Sequence, residues 1–289
     1  MNRKDVLDSL PIKSDHFVVE VGAGHIPFRY TKLILDKYPF ENIERWSDIK
    51  KIAPVIKADA TKIPIKNKGC DLLFASHVIE HLSDPNKFLE EAKRCSKFVY
   101  LEFPKLTREL MFAWGFHRWV IEIEGSKLIF FRNDIPQIFN DFFHRNYDLL
   151  FHTWCEQRFE ELNNYLFIES HKLDYEFSQK TAFEHVLDHS AVGIQKINFS
   201  PQERKRYHFK QLSMIILYWF SSNKLIAFKN WLCQKVNLLR EPRLNNQIVE
   251  KLICQNCKAN DLQLTLEKII CNSCGTTYTK EKGIFVFDI

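Results

Sequence analysis

The sequence has little glycine and no hydrophobic stretch long enough to cross a membrane. Glycine accounts for only 8 of the 289 residues, so glycines that lie close together are informative. The longest apolar run, from Met214 to Phe220, is far shorter than the roughly 20 residues of a membrane-spanning helix. The beginning of the chain lacks the apolar core and the small-residue cleavage site of a secretory signal. We therefore expect a cytoplasmic protein without a transmembrane helix.

The composition is that of an ordinary globular chain. Hydrophobic residues make up 45% and charged residues 27%, which excludes an intrinsically disordered protein. The length predicts one large domain with a smaller module attached. The net charge of +5 is uneven, because residues 196–251 contain eleven basic and three acidic residues, a local net charge of +8. The rest of the chain therefore carries a net charge of −3.

Short apolar runs separated by turn and helix signals occupy the first part of the chain. Buried strands are predicted at residues 17–21, 32–35, 71–75 and 98–101. Between the last two, a helix is predicted to begin at Pro85 with Asp84 as its N-cap. Strands that alternate with helices favour a parallel sheet. The predicted fold class is α/β, with a doubly wound, Rossmann-like sheet.

Aromatic-rich segments follow this α/β part. Residues 119–131 predict a hairpin, residues 135–147 a helix, and residues 163–177 two further strands. The predicted divisions are an α/β core at 1–104, an α+β cap at 105–195, a basic aromatic-rich connector at 196–246, and a terminal module at 247–289.

The terminal module contains two Cys-x-x-Cys pairs. Cys254 and Cys257 form the first pair, Cys271 and Cys274 form the second, and thirteen residues lie between Cys257 and Cys271. The other four cysteines occur singly. Each pair can place two thiolates at adjacent corners of a tetrahedron, so the four predict a closed structural zinc site. A module this small gains stability from such a metal. The alternative is two unrelated redox pairs.

The terminal module resembles the small zinc-ribbon family that activates methyltransferases acting on tRNA, rRNA and release factors. The resemblance spans residues 247–289 and includes the turn with Gly275 and Tyr278 and the Gly283-Ile284 ending. It implies a methyltransferase as a partner or in the same chain.

A glycine-containing turn directly follows the first predicted strand. Glycines at Gly22 and Gly24, after Glu20, allow backbone N–H groups to approach a polar ligand closely. The motifs that follow in order are Ile63-Pro64-Ile65, a strand start at Cys70-Asp71, and Glu80-His81-Leu82. With this order of motifs, residues 15–103 resemble class I S-adenosylmethionine-dependent methyltransferases. Ile26-Pro27 replace the third glycine of that family, so we expect a reshaped cofactor loop.

The resemblance assigns site residues to the carboxyl ends of the strands, where open α/β sheets bind ligands. It implies that Glu20, Gly22 and Gly24 line the methionine and ribose of S-adenosylmethionine, that Asp59 and Ala60 face the adenine, and that Ser76 and His77 lie beside the sulfonium or the substrate.

Two acids compete for the ribose hydroxyls, which this family binds with a carboxylate at the end of its second strand. Asp48 lies at the more usual interval from Gly24, but we favour Asp36, because Pro27 opposes a long helix and Pro39 ends the strand. The alternative for Asp36 is a solvated acid on an amphipathic helix.

Two histidine motifs have more than one interpretation. His77, Glu80 and His81 fit the H-x-x-E-H pattern of zinc proteases, but that pattern needs a long helix, and Pro85 follows too soon. Farther on, His117 could accept a proton from an acceptor and Arg118 could bind a carboxylate or phosphate. A subgroup of methyltransferase-like proteins has a similar FHRW stretch, and the alternative is a histidine packed among aromatic residues.

The predicted function is methyl transfer from S-adenosylmethionine to a glycan, small metabolite, RNA or protein. The alternative is a non-catalytic scaffold that binds RNA or a protein through the ribbon and the connector. Basic and aromatic residues within 196–251 suit a membrane interface or a nucleic acid, and equally a buried helix with a solvated basic face. A membrane contact would make the cytoplasmic protein membrane-peripheral.

Overall fold

The computed structural model describes residues 2–41, 48–112, 114–136, 157–189 and 242–287. These residues form a large sheet of ten strands and a smaller sheet of three. Most of the helix predicted at 135–147 and most of the connector lie outside them. Within the described ranges, no helix has the length and apolar character needed to cross a bilayer.

Parallel strands form the centre of the large sheet. They are β1 (Val18–Val21), β2 (Thr31–Asp36), β3 (Val55–Lys57), β4 (Cys70–Ser76) and β5 (Ser96–Pro104). Their spatial order, β3-β2-β1-β4-β5, is that of a doubly wound sheet, so the predicted α/β fold class is confirmed. The sequence did not predict β3, because three residues with a single fully buried side chain form no recognisable apolar run.

Two helices flank these strands. Helix α1 (Arg3–Ser9) precedes β1, and α2 (Pro85–Cys95) connects β4 to β5. As predicted, α2 begins with an Asp84 side chain that accepts the Lys87 N–H at 3.1 Å. Its apolar residues are spaced so that Phe88, Leu89, Ala92 and Cys95 are buried in the main core.

The cap is joined to the core at β5, at the other end of the parallel strands from β3. Its elements are α3 (Leu106–Phe112), β6 (Trp119–Glu124), β7 (Lys127–Arg132), α4 (Phe159–Leu162), β8 (Asn163–Glu169), β9 (Asp174–Thr181) and α5 (Ala182–His189). The predicted hairpin is β6-β7, and β8 pairs antiparallel with β5 along its whole length. The small sheet has the order β6-β7-β9.

The terminal module extends the large sheet at its β3 edge. It contains α6 (Asn246–Val249), β10 (Leu262–Leu264), β11 (Lys268–Cys271), β12 (Thr277–Glu281) and β13 (Ile284–Val286). Strand β13 runs parallel to β3, with Phe285 opposite Ile56 and Val286 opposite Lys57. The module is therefore part of the same sheet as the α/β core.

The N-cap of α2 gives a stability prediction. Replacing Asp84 with Ala removes the acceptor for the Lys87 N–H and should lower the free energy of unfolding by about 1 kcal/mol. Urea unfolding followed by circular dichroism measures this change. Asp84→Asn is the matched control, because an asparagine side chain also caps helices; equal losses in both variants would contradict the capping role.

Candidate functional site

The glycine turn lies between the ends of β1 and β2, next to the point where the strand order reverses. The Gly22 N–H donates to the Leu35 carbonyl at 2.8 Å, and Gly22 has a φ of +62°. A Cβ there would lie 2.6 Å from Val78 Cγ2, so this position requires glycine. Gly24 also has a positive φ, +57°, but no atom lies within 4 Å of its added Cβ. The turn thus presents open space in front of Gly24.

Glu20 holds the loop that follows this turn. Its buried carboxylate accepts the Phe28 N–H at 2.8 Å and the Thr31 hydroxyl at 2.5 Å. Burial raises the pKa of Glu20 to about 7, although both hydrogen bonds oppose that rise. No helix is present between Gly22 and Thr31, all of which the structure describes. The chain thus passes through Ile26-Pro27 to β2 without forming a helix.

Two acidic residues lie at or just beyond the carboxyl ends of the neighbouring strands β2 and β3. Asp36 is buried at the end of β2, and its Oδ1 accepts the Tyr38 N–H at 2.8 Å. Asp59 lies two residues beyond β3 and pairs with Lys37 at 2.6 Å. Burial alone would raise the pKa of Asp59, but hydrogen bonds from Lys37 and Thr61 hold it below its ordinary value.

The position of Asp48 differs from that of Asp36. Asp48 is exposed and lies in the segment between β2 and β3, outside any strand. Ala60, predicted to face the adenine, is buried directly after Asp59. The geometry therefore favours Asp36 over Asp48 at a strand end.

A polar network around the buried Glu102 lies at the ends of β4 and β5. Arg3 donates to Glu102 at 2.9 Å and to the Ser76 hydroxyl at 3.0 Å, and that hydroxyl donates to Glu102 at 2.9 Å. His77 contacts Glu80 at 3.1 Å and Glu102 at 3.4 Å. Neither Arg3 nor Glu102 was predicted to belong to the site, although an acid within a buried strand, as Glu102 is in β5, signals a partner for its charge.

His77 is positioned by strain and by charge. Its φ of +55° is unusual for a residue with a side chain. Burial lowers the pKa of His77, but the carboxylates of Glu102 and Glu80 outweigh that effect and raise it to about 9. An imidazolium has no lone pair that accepts a proton. His77 is therefore held against two carboxylates, and its place beside the sulfonium or the substrate stays a prediction.

The cap brings His117 to the same end of the sheet. Its Nδ1 lies 2.6 Å from Glu109 Oε1, and its ring contacts those of Trp114 and His81, each at a centroid distance of 4.7 Å. Burial, followed by the negative charge of Glu80, raises the pKa of Glu109 well above its ordinary value. Glu109 was not predicted, because it lies eight positions before His117 and only the fold brings the two together.

The region around Glu80 and His81 does not have the helix that a zinc protease needs. Only a single 3-10 turn, Ile79–His81, follows β4, and Pro85 then begins α2. Arg118 is exposed, but its backbone N–H donates to the Glu80 carbonyl at 2.8 Å. The predicted FHRW cluster is thus attached to the end of β4 by its backbone.

The four predicted zinc ligands lie together in the terminal module. Their Sγ atoms are all within 4.8 Å of one another, with Cys254 and Cys274 3.7 Å apart and Cys257 and Cys271 3.6 Å apart. Zinc–sulfur bonds of about 2.3 Å give a tetrahedron with edges of about 3.8 Å. Each pair also forms a similar backbone turn, since Lys258 N donates to the Cys254 carbonyl and Gly275 N to the Cys271 carbonyl. The donor set therefore fits a structural zinc ion.

Comparisons with known proteins match part of the chain. Residues 24–97 match a family described as a methyltransferase domain. No curated protein matches the sequence. The family match supports methyl transfer by this part of the chain and leaves the acceptor unidentified.

Several solved structures also match part of the chain. A SAM-dependent methyltransferase from Aquifex aeolicus is 25% identical over 36% of this chain and 64% of its own, with a TM-score of 0.29. A Haemonchus contortus phosphoethanolamine N-methyltransferase is 24% identical over 35% and 24%, with a TM-score of 0.27. A complex of a Haloferax volcanii methyltransferase activator with a methyltransferase is 18% identical over 47% and 73%, with a TM-score of 0.32. The chain thus spans less than two thirds of the first two proteins.

The buried Glu20 predicts a pH dependence of stability. A carboxyl whose pKa is raised in the folded state stabilises the protein fully below its ordinary pKa, and this stabilisation is lost as the pH rises through the folded value. The free energy of unfolding should therefore fall by roughly 3 kcal/mol between about pH 4.5 and pH 7 through this group.

Comparing Glu20→Gln with the unmodified chain isolates this effect. Denaturant unfolding at several pH values should show that the variant lacks the decrease due to Glu20. Glu124→Gln, which neutralises an exposed carboxylate in β6, is the control and should keep it. Parallel pH profiles of Glu20→Gln and the unmodified chain would refute the assignment.

Proposed function

We propose that this protein is a S-adenosylmethionine-dependent methyltransferase whose terminal zinc ribbon supports the catalytic domain in the same chain. The observation that carries the proposal is the turn at Gly22 and Gly24, at the switch point of a doubly wound sheet, flanked by Asp36 and Asp59 at neighbouring strand ends. The acceptor is a glycan, small metabolite, RNA or protein.

The cofactor would lie across the carboxyl ends of β1, β2 and β3. Gly24 provides an approach without a side chain, and the Asp36 carboxylate can accept hydrogen bonds from two ribose hydroxyls. Asp59 and Ala60 are at the correct strand end for contact with the adenine. S-adenosylmethionine supplies the activated methyl group on a sulfonium. Glu20 contributes by holding the 22–30 loop through Phe28.

Catalysis would depend chiefly on positioning and on exclusion of water, because the methyl group is already activated. No protein nucleophile is required. Ser76 and the end of β4 would lie on the methyl side, and the cap would enclose the acceptor. His117, oriented by Glu109 at 2.6 Å, is the group suited to take the acceptor's proton.

The ribbon would stabilise the edge that carries the adenine site. Strand β13 pairs with β3, and the Phe287 N–H donates to the Lys57 carbonyl at 2.8 Å, two residues before Asp59. Farther along, Ile253 N donates to the Pro64 carbonyl at 3.0 Å, within the turn that follows Asp59. Zinc held by the four cysteines would thus maintain the fold of a module that contacts both sides of this residue.

The scaffold alternative makes a different prediction about the cofactor. A scaffold would bind RNA or a protein through the ribbon and residues 196–251 without binding S-adenosylmethionine. The glycine turn, with Asp36 and Asp59 near the ends of neighbouring strands, supports the enzyme. Contact of the connector with RNA or a membrane stays a prediction, since nearly all of that segment lies outside the described residues.

Cofactor binding is tested by a pair of glycine variants. Gly24 and Gly125 both have positive φ, +57° and +65°, and neither has an atom within 4 Å of an added Cβ. Alanine should therefore destabilise the fold similarly at both positions, by about 1 kcal/mol. Only Gly24→Ala should place a methyl group against the cofactor and weaken S-adenosylmethionine binding by about tenfold or more, measured by calorimetry.

A methyl-labelled S-adenosylmethionine assay completes this test. Label transferred to lipid, RNA, protein or small-molecule fractions should depend on the intact Gly24 and identify the acceptor class. If the unmodified chain binds no S-adenosylmethionine, the proposed function is wrong; salt-sensitive RNA binding in its place would favour the scaffold.

The support from the ribbon is tested by removing one zinc ligand. Cys271→Ser should abolish zinc binding at the ribbon and weaken S-adenosylmethionine binding by about tenfold, because β13 no longer holds β3 beside Asp59. Cys233→Ser, outside both pairs, is the control. Chelation of the unmodified chain should have the same effect, reversible by added zinc. Unchanged cofactor affinity after zinc loss would contradict the supporting role.

A further inference from the structure

A second group of metal-ligating side chains lies in the cap-covered end of the sheet, far in sequence from the cysteines. Glu80 and His81 belong to the 3-10 turn after β4, and His117 lies in the loop before β6. One potential ligand atom from each residue lies within 4.8 Å of those from the other two. The group contains two imidazoles and one carboxylate.

Backbone contacts hold these residues together. The Arg118 N–H donates to the Glu80 carbonyl at 2.8 Å, and the Trp119 indole N–H donates to the Leu82 carbonyl at 2.9 Å. The two residues that follow His117 are therefore attached to the backbone on both sides of His81. Their proximity follows from the backbone and does not depend on side-chain rotamers alone.

Glu80 has one carboxylate oxygen with no protein partner. Its side chain is 1% exposed; Oε1 contacts His77 Nδ1 at 3.1 Å, but Oε2 has no hydrogen bond. A buried carboxylate oxygen without a partner costs free energy, so such groups in native proteins are paired with a donor, water or a cation. The vacant lone pairs of Oε2 thus point to a ligand in this cluster.

His117 is oriented in the manner of a metal-binding histidine. When its Nδ1–H donates to ionised Glu109, 2.6 Å away, its Nε2 is the ring nitrogen that can bind a metal. A carboxylate on the remote ring nitrogen is the usual partner of a ligating imidazole. The ring of His81 meets that of His117 edge to face, and Phe116 stacks on His81 at 5.5 Å.

We propose that Glu80, His81 and His117 bind a divalent first-row transition-metal ion, such as Zn²⁺ or Fe²⁺. Two imidazoles and one carboxylate suit these ions, and three protein ligands leave positions open for water or substrate. Metal–ligand bonds of about 2.1 Å place ligand atoms roughly 3–3.5 Å apart, so side-chain movements of about 1 Å complete the site.

The site also suggests an acceptor class, a consequence that rests on the proposed function. A metal ion lowers the pKa of a coordinated hydroxyl group, so an acceptor hydroxyl would bind as the oxyanion after releasing its proton to solvent. The oxygen–methyl bond then forms as the sulfur–methyl bond breaks, and S-adenosylhomocysteine leaves. In this case the metal, with His117 as its ligand, replaces His117 as the group that activates the acceptor.

Metal content tests the site without any assay of activity. The full chain, stripped with a chelator and reconstituted with Co²⁺, should bind two equivalents, one in the ribbon and one in this cluster. Glu80→Gln, His81→Ala and His117→Ala should each retain only one, with the sulfur-to-cobalt charge-transfer absorption of the ribbon intact. His171→Ala, which removes an exposed imidazole, should keep both.

The outcomes separate this site from the proposed function. One equivalent in the unmodified chain, removed entirely by Cys271→Ser, overturns the metal site even if S-adenosylmethionine binds. Two equivalents without cofactor binding would instead overturn the methyltransferase. Circular dichroism verifies folding, and two equivalents retained by all three folded variants would also reject these ligands.

Discussion

The parallel pairing of β13 with β3 joins the terminal module and the α/β core into one sheet. An open parallel sheet ends in an edge strand with unpaired backbone groups, which proteins commonly cover, and β3 would be that strand here. The terminal module covers that edge and buries Phe285 and Phe287 in the main core. The module with the four clustered cysteines is thereby connected directly to the strand that precedes Asp59.

The buried charge of Glu102 in β5 imposes a second constraint, because it must be neutralised within the fold. Glu102 accepts hydrogen bonds from Arg3, Ser76 and Tyr100, which together satisfy a carboxylate buried at the end of β5. Arg3 comes from α1, at the start of the chain. Charged groups that neutralise one another are thus drawn from distant segments, because an unpaired buried carboxylate is expensive. This network holds His77 and the adjoining turn in place.

The sequence predicted the elements that have strong local patterns. Strands β1, β2, β4 and β5 are buried apolar runs, α2 has a cap and a helical apolar face, and β6-β7 alternates on both sides of Gly125. The three-residue β3 lacks such a pattern. Neither Glu109 nor Glu102 was recognised as part of the site, because each acquires its role from residues elsewhere in the fold.

Local chemistry determined the two cysteine pairs and the glycine turn, since a Cys-x-x-Cys turn or a residue of positive φ depends only on its neighbours in the chain. Tertiary structure decided which of Asp36 and Asp48 ends a strand, and it placed His117 beside Glu80 and His81. It also placed the ribbon on the β3 edge. These outcomes depend on which surfaces meet across long stretches of chain, and the spacing of residues in the sequence does not specify such contacts.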